Sequence, residues 1–164
     1  MELNRTILAV AACAVMVAGA ARGAEDATTT DLQATLLSWA VVLSGHPPPK
    51  HPPRLQRKGH EFFVLNACAG SECQVWGWFP PGDTVYIDER LDPQTNLLAA
   101  SIVVHEMVHF LQYQTARSTT EFSCANSLAL EREAYAVQRE FILHYGVYQP
   151  VGVSMHNVGC SSAP

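Results

Sequence analysis

The stretch "SIVVHEMVHFLQYQ", residues 101–114, sets His105, Glu106 and His109 among apolar neighbours. A buried polar group left without a partner costs roughly 2–7 kcal/mol, so a helix carrying these three through a core needs something to satisfy them. Residues four apart stack on one helix face, which projects His105 and His109 together, about 6 Å apart along the axis. Two imidazoles at that spacing can converge on one zinc ion at ~2.0–2.1 Å. Glu106, turned by about 100° around the helix, can then reach a water at the ion without being a ligand. The pattern is HExxH, and its chemistry is metal-assisted hydrolysis with Glu106 as general base. Two satisfied core histidines are the plainer alternative. The apolar run Val103, Val104, Met107, Val108, Phe110 and Leu111 favours a zinc helix lying under a core.

A catalytic zinc site takes three protein ligands and keeps one position open. The pattern HExxHxxGxxH would need Gly at 112 and His at 115, whereas the chain has Gln112 and Thr115. Met155 is therefore not read as the methionine turn that accompanies that pattern. The remaining route is a carboxylate from a downstream helix, where "LEREAYAVQ" offers Glu131 and Glu133.

His105-Glu-Met-Val-His109 followed by Glu131-Arg-Glu-Ala134-Tyr135 resembles the gluzincin metallopeptidases. From roughly residue 30 onward the chain is also similar to a group of small exported bacterial proteins with "HELVHFLQ"-like and "EREAYAVQ"-like segments. The gluzincin resemblance implies zinc on His105, His109 and Glu131, with Ala134 allowing close helix approach. It also implies a peptide or protein substrate, bound as an added strand beside the zinc helix. The segment "TVYID", with Tyr86, is the expected strand. Tyr135 stands where many gluzincins have Asp, a departure that bears on how a ligating histidine is oriented. An oxyanion helper is expected among Tyr135, His144, Tyr145, Tyr148 and His156.

The elements that must position these groups are legible as an α+β domain, a small, mostly antiparallel sheet packed on two long helices. "TNLLAASIVVHEMVHFLQYQ" is the first, apolar around most of its circumference, with Asp92-Pro93 as a start signal. "NSLALEREAYAVQREFILHYG" is the second, with Leu130, Ala134, Val137, Phe141 and Tyr145 on one face and Gly146 as its end. A further helix in "TTTDLQATLLSWAVVLSG" spaces Leu32, Leu36, Trp39 or Ala40, and Leu43 on one face. Thr and Asp are its capping candidates and Gly45 its stop. Residues 46–59, rich in Pro and positive charge, read as an irregular surface connector, long enough to lie across a cleft. Its His46 and His51 read as solvated. "HEFFVL", "QVWGWF" and "TVYID" read as strands, with Pro80 to Asp83 as a turn.

At 164 residues, with 48% hydrophobic and 15% charged content, the chain suits one packed domain. A net charge of -5 lacks the basic footprint that nucleic acid requires. Residues 1–24 have the layout of a secretory signal peptide, with an apolar run from Ile7 to about Ala18, shorter than the ~20 residues of a membrane span. Residues 25–164 are then a secreted or periplasmic domain; lipoprotein attachment at Cys13 is a weaker variant. Export makes two disulfides the default for the four remaining cysteines, and the expected pairs are Cys68–Cys73 and Cys124–Cys160. A zinc site built from all four thiolates competes poorly because no CxxC pair is present. A non-catalytic domain with a closed structural zinc, using His144 or His156 as fourth ligand, and a metal-free disulfide-stabilised domain are the alternative functions.

Overall fold

The fold was obtained as a computed structural model describing residues 18–116 and 123–160. The apolar leader, Cys13 and most of the polar linker between the long helices lie outside the described residues, as does the side chain of His156. The chain divides at Asp31 into two compact units, and the sheet and the helices that follow it lie in the second, Leu32 onward.

The order is α1 (Ala18–Ser44), β1 (Arg54–Lys58), α2 (His60–Asn66), β2 (Gly77–Trp78), β3 (Thr84–Asp88), α3 (Leu97–Ala116), α4 (Cys124–His144) and a 3-10 turn (Val153–His156). The α+β class holds, with a mixed three-stranded sheet in the order β1-β3-β2. β1 runs parallel to β3 over five residue pairs, and β2 is antiparallel to β3 over two. The sheet is therefore not mostly antiparallel.

That difference comes from two segments. The connector is not irregular throughout, because once the Pro run ends, "RLQRK" extends and pairs with β3 as strand β1. "HEFFVL" is helix α2 rather than a strand. Short apolar runs do not separate helix from strand by periodicity, and here the extended Gly59 is the N-cap and Glu61 stands in the helix's first turn. Phe63 enters the core while Phe62 packs on Tyr86, ring centroids 4.9 Å apart. Within "QVWGWF" only Gly77 and Trp78 are strand.

α1 ends where Gly45 takes a positive φ of 72° and donates to the Val41 carbonyl, a left-handed stop that suits glycine. Its start differs from expectation, since the helix continues through the capping candidates back to Ala18. α3 starts at an Asn96 cap, whose side-chain oxygen accepts from the Ala99 N–H at 3.1 Å. Ser123 caps α4 in the same manner. Both termini thus satisfy backbone donors that a helix leaves free.

α3 is the centre of the unit. Val103, Val104, Met107, Val108 and Leu111 are fully buried. α4 packs along it through Ala134, Val137, Phe141 and Ile142, and α1 adds Leu36 and Ala40. Trp39 meets Phe141 edge to face at 5.8 Å. Phe141→Ala removes a side chain 1% exposed and should destabilise the fold by ~3–5 kcal/mol. Urea unfolding would show this as a lower midpoint with an unchanged slope.

Both expected disulfides are present, Cys68–Cys73 and Cys124–Cys160. The second ties the tail to the start of α4. The tail is held further by Arg132 donating to the Met155 and Val158 carbonyls, and by Arg139 donating to Val151.

Candidate metal centre

α3 brings His105 and His109 onto one face, and α4 lays Glu131 across them. His105 Nε2 and His109 Nε2 are 3.1 Å apart. Glu131 Oε2 is 3.6 Å from the first and Glu131 Oε1 is 3.3 Å from the second. A tetrahedral ion bound at ~2.0–2.1 Å has ligands separated by about 3.3–3.4 Å, and the three observed separations straddle that edge. His105, His109 and Glu131 could hold a metal ion, and among the described residues they form the group of this kind.

The two carboxylates of "ERE" separate cleanly. Glu131 faces the imidazoles, whereas Glu133 accepts from Gln112 Nε2 at 3.0 Å and contacts His46 Nε2 at 2.9 Å. His46 thus sits against a carboxylate rather than in open solvent, with its buried Nε2 making no hydrogen bond, and it lies outside the metal-holding group. His144 packs against Trp39 at 4.4 Å and is not part of that group either.

Gln112 carries a role that the sequence reading missed. Its Oε1 lies 2.8 Å from His109 Nδ1, the kind of outer contact that orients a ligating histidine. The detectable signal was its position, three residues after His109 and so one helical turn along the same face. His105 differs, because its buried Nδ1 has no hydrogen-bond partner. Its ring is packed against Tyr135 at 4.4 Å, the residue occupying the place where an Asp acceptor was the alternative. The tail presses on that tyrosine in turn. Gly152 has a φ of 67°, and a Cβ there would run into the Tyr135 ring.

A cleft of about 1170 Å³ runs over the centre, and His105, Glu106, His109 and Glu131 all line it. An ion held by the three side chains would therefore face the cleft. Trp76, Trp78, Phe79, Leu98 and Ile102 give it apolar walls. Trp76 is backed by the Arg90 guanidinium at 4.7 Å, itself doubly bonded to the buried Asp88 carboxylate. β3 is the central strand, so "TVYID" cannot accept an added strand, and Tyr86 packs on Phe62 and Trp78 instead of lining the cleft. The edge strand that lines the cleft is β2, through Gly77 and Trp78. β1 sits on the opposite edge, so that part of the connector does not cover the cleft.

Glu106 is 7% exposed. Burial pushes its carboxyl above the usual carboxylate range against the opposing pull of His105, His109 and a hydrogen bond from the Phe79 backbone. Gly77 makes this close seat, since a Cβ there would lie 2.8 Å from Glu106 Cγ and from Ile102 Cγ2. Burial pulls the His109 imidazole down, but the Glu131 carboxylate and the charge of Glu106 outweigh it and raise His109 to about 9. Burial opposes ionisation of Glu131, and the two imidazoles overcome it, holding the carboxyl well below its usual range. Burial and the two nearby carboxylates raise the Tyr135 phenol.

Below about 9 the metal-free His109 thus keeps a proton that an incoming ion must expel. Apparent zinc affinity should then fall by roughly tenfold per pH unit, about a hundredfold between pH 8 and pH 6. Zinc titrations against a competing chelator at the two pH values measure this directly.

Comparison of the chain with protein-family models, with curated proteins and with solved structures found no match.

Proposed function

We propose that the chain is an exported zinc-dependent hydrolase that cleaves peptide bonds, with Glu106 as general base and His105, His109 and Glu131 as metal ligands. The observation that carries this reading is the convergence of those three ligands within 4.8 Å of one another, in a cleft that also takes in Glu106. Zinc bound there would supply a Lewis acid that polarises a carbonyl and lowers the pKa of water to about 7. The chain's own residues do the rest. Glu106 takes the proton of the attacking water and delivers it to the leaving amine, a role that suits a carboxyl whose proton affinity burial has raised. The apolar walls exclude water and receive bulky apolar side chains. As the edge strand closest to Glu106, β2 replaces "TVYID" as the strand beside which an extended peptide would lie.

A structural-metal domain would need a fourth protein ligand, and among the described residues the group has three. The two disulfides are compatible with an extracellular protein. Among the described residues no helix is long and apolar enough to cross a membrane. A signal peptide over residues 1–24 completes the proposal.

Metal analysis and a protease assay on purified protein test it. One zinc per chain is expected, with cleavage of an unfolded protein substrate that chelation stops and added zinc restores. Chains holding well under one zinc, or cleavage indifferent to chelator, would sink it.

A further inference from the structure

We propose that Gln112 and Glu133, with the His46 ring set against the outer carboxylate oxygen, form a relay that selects the metal-binding tautomer of His109, as positioning residues that never touch the ion. The inference rests on the metal centre proposed above and adds the device that prepares one of its ligands.

The argument starts from the asymmetry of a side-chain amide, which accepts at oxygen and donates at nitrogen. Gln112 Nε2 lies 3.0 Å from the Leu130 carbonyl and 3.0 Å from Glu133 Oε2. Both neighbours are acceptors only, so a reversed amide would place its oxygen against two others. The amide oxygen is therefore turned to His109 Nδ1, at 2.8 Å. An oxygen can only accept, and so Nδ1 must carry the hydrogen. In a neutral imidazole that leaves the lone pair on Nε2, the atom 3.1 Å from His105 Nε2 and 3.3 Å from Glu131.

The outer side of Glu133 faces a second imidazole. Its other oxygen lies 2.9 Å from His46 Nε2, a close contact without hydrogen-bond geometry, and His46 follows the Gly45 stop of α1 and opens the run Pro47 to Pro49. Proline restricts both its own φ and the residue before it, so the loop offers a stiff mount for the imidazole. The hydrogen-bonded part of the relay thus runs from Glu133 on α4 through Gln112 to His109, with the loop imidazole against its outer end. His105, whose Nδ1 has no partner, lacks any equivalent, which makes His109 the ligand whose Nε2 is fixed as the nitrogen that gives up its proton to the ion.

The test measures zinc affinity by chelator competition, and the His109 ring nitrogens by long-range nitrogen–proton spectra of the zinc-loaded protein. Glu133→Gln keeps an oxygen for Gln112 Nε2 and should lose at most about threefold in affinity. Glu133→Lys removes one of the two acceptors that fix the amide, sets a donor against its nitrogen, and should weaken zinc by ~10–100-fold. The zinc-loaded parent should show a protonated His109 Nδ1, and Glu133→Lys should lose that signature. Wild-type affinity or an unchanged His109 spectrum in Glu133→Lys overturns the relay. Should Glu133→Lys fail to fold, Gln112→Leu carries the same question, with a ~10–100-fold loss expected and wild-type affinity overturning the proposal. A wild-type chain that takes up no zinc overturns the metal centre and the relay together, whereas zinc uptake indifferent to all these variants overturns the relay alone.

Discussion

Glu106→Gln should abolish peptide hydrolysis while leaving zinc content and thermal stability as they are. The substitution keeps the length of the side chain and an oxygen that can accept from the Phe79 backbone, the hydrogen bond the carboxylate already receives. It removes the negative charge and with it the capacity to take a proton. A positioned base contributes ~10²–10⁴-fold, so kcat/KM is expected to fall by about a hundredfold to ten-thousandfold, equivalent to about 3 to 5 kcal/mol. The loss should fall on kcat, because the proton transfer is made in the transition state and not in substrate binding. Activity within tenfold of the parent would remove Glu106 from the mechanism even with the metal in place. Loss of zinc alongside activity would show instead that Glu106 holds the metal rather than the proton.

The sequence disclosed the centre better than its surroundings, for a physical reason. Helical geometry is local, so His105 and His109 could be placed on one face from a spacing of four. The burial of α3 followed from apolar residues all around it. The disulfides followed from cysteine positions and an oxidising compartment. What was not legible depended on tertiary contacts. Strand β1 is an ordinary polar "RLQRK" until β3 lies beside it, and "HEFFVL", which forms helix α2, is too short for its pattern to tell helix from strand. The order β1-β3-β2 puts "TVYID" in the middle of the sheet, and nothing in its own residues says which strands flank it. The same limit hid the relay. Gln112 entered the sequence argument as the residue standing where the pattern HExxHxxGxxH requires glycine, and its contacts with Leu130 and Glu133 exist only once α4 has packed against α3.

That packing also decides the second large effect, which falls on Glu131. Glu131→Gln should weaken zinc by about a thousandfold or more, close to 4 kcal/mol on the scale where each decade is about 1.4 kcal/mol. An anionic oxygen is replaced by a neutral amide beside two imidazoles that remain 3.1 Å apart. Glu133→Gln, two residues along the same helix, should stay within a few-fold, because that carboxylate faces Gln112 and His46 and not the ion. The metal-free protein gives an independent reading of the same geometry. Burial lowers His109, and Glu131 is the principal group raising it to about 9. Removing the charge should therefore bring the His109 titration down toward or below the usual imidazole value of ~6.5, as followed by proton NMR. Because the folded value lies above the unfolded one, the stability this pair contributes is present below about 6.5 and lost as pH rises through about 9. The metal-free Glu131→Gln variant should accordingly lose stability relative to the parent most at about pH 6, and least at about pH 10. Equal zinc affinity in the two Gln variants, or an unmoved His109 titration, would place the third ligand elsewhere and dissolve the centre.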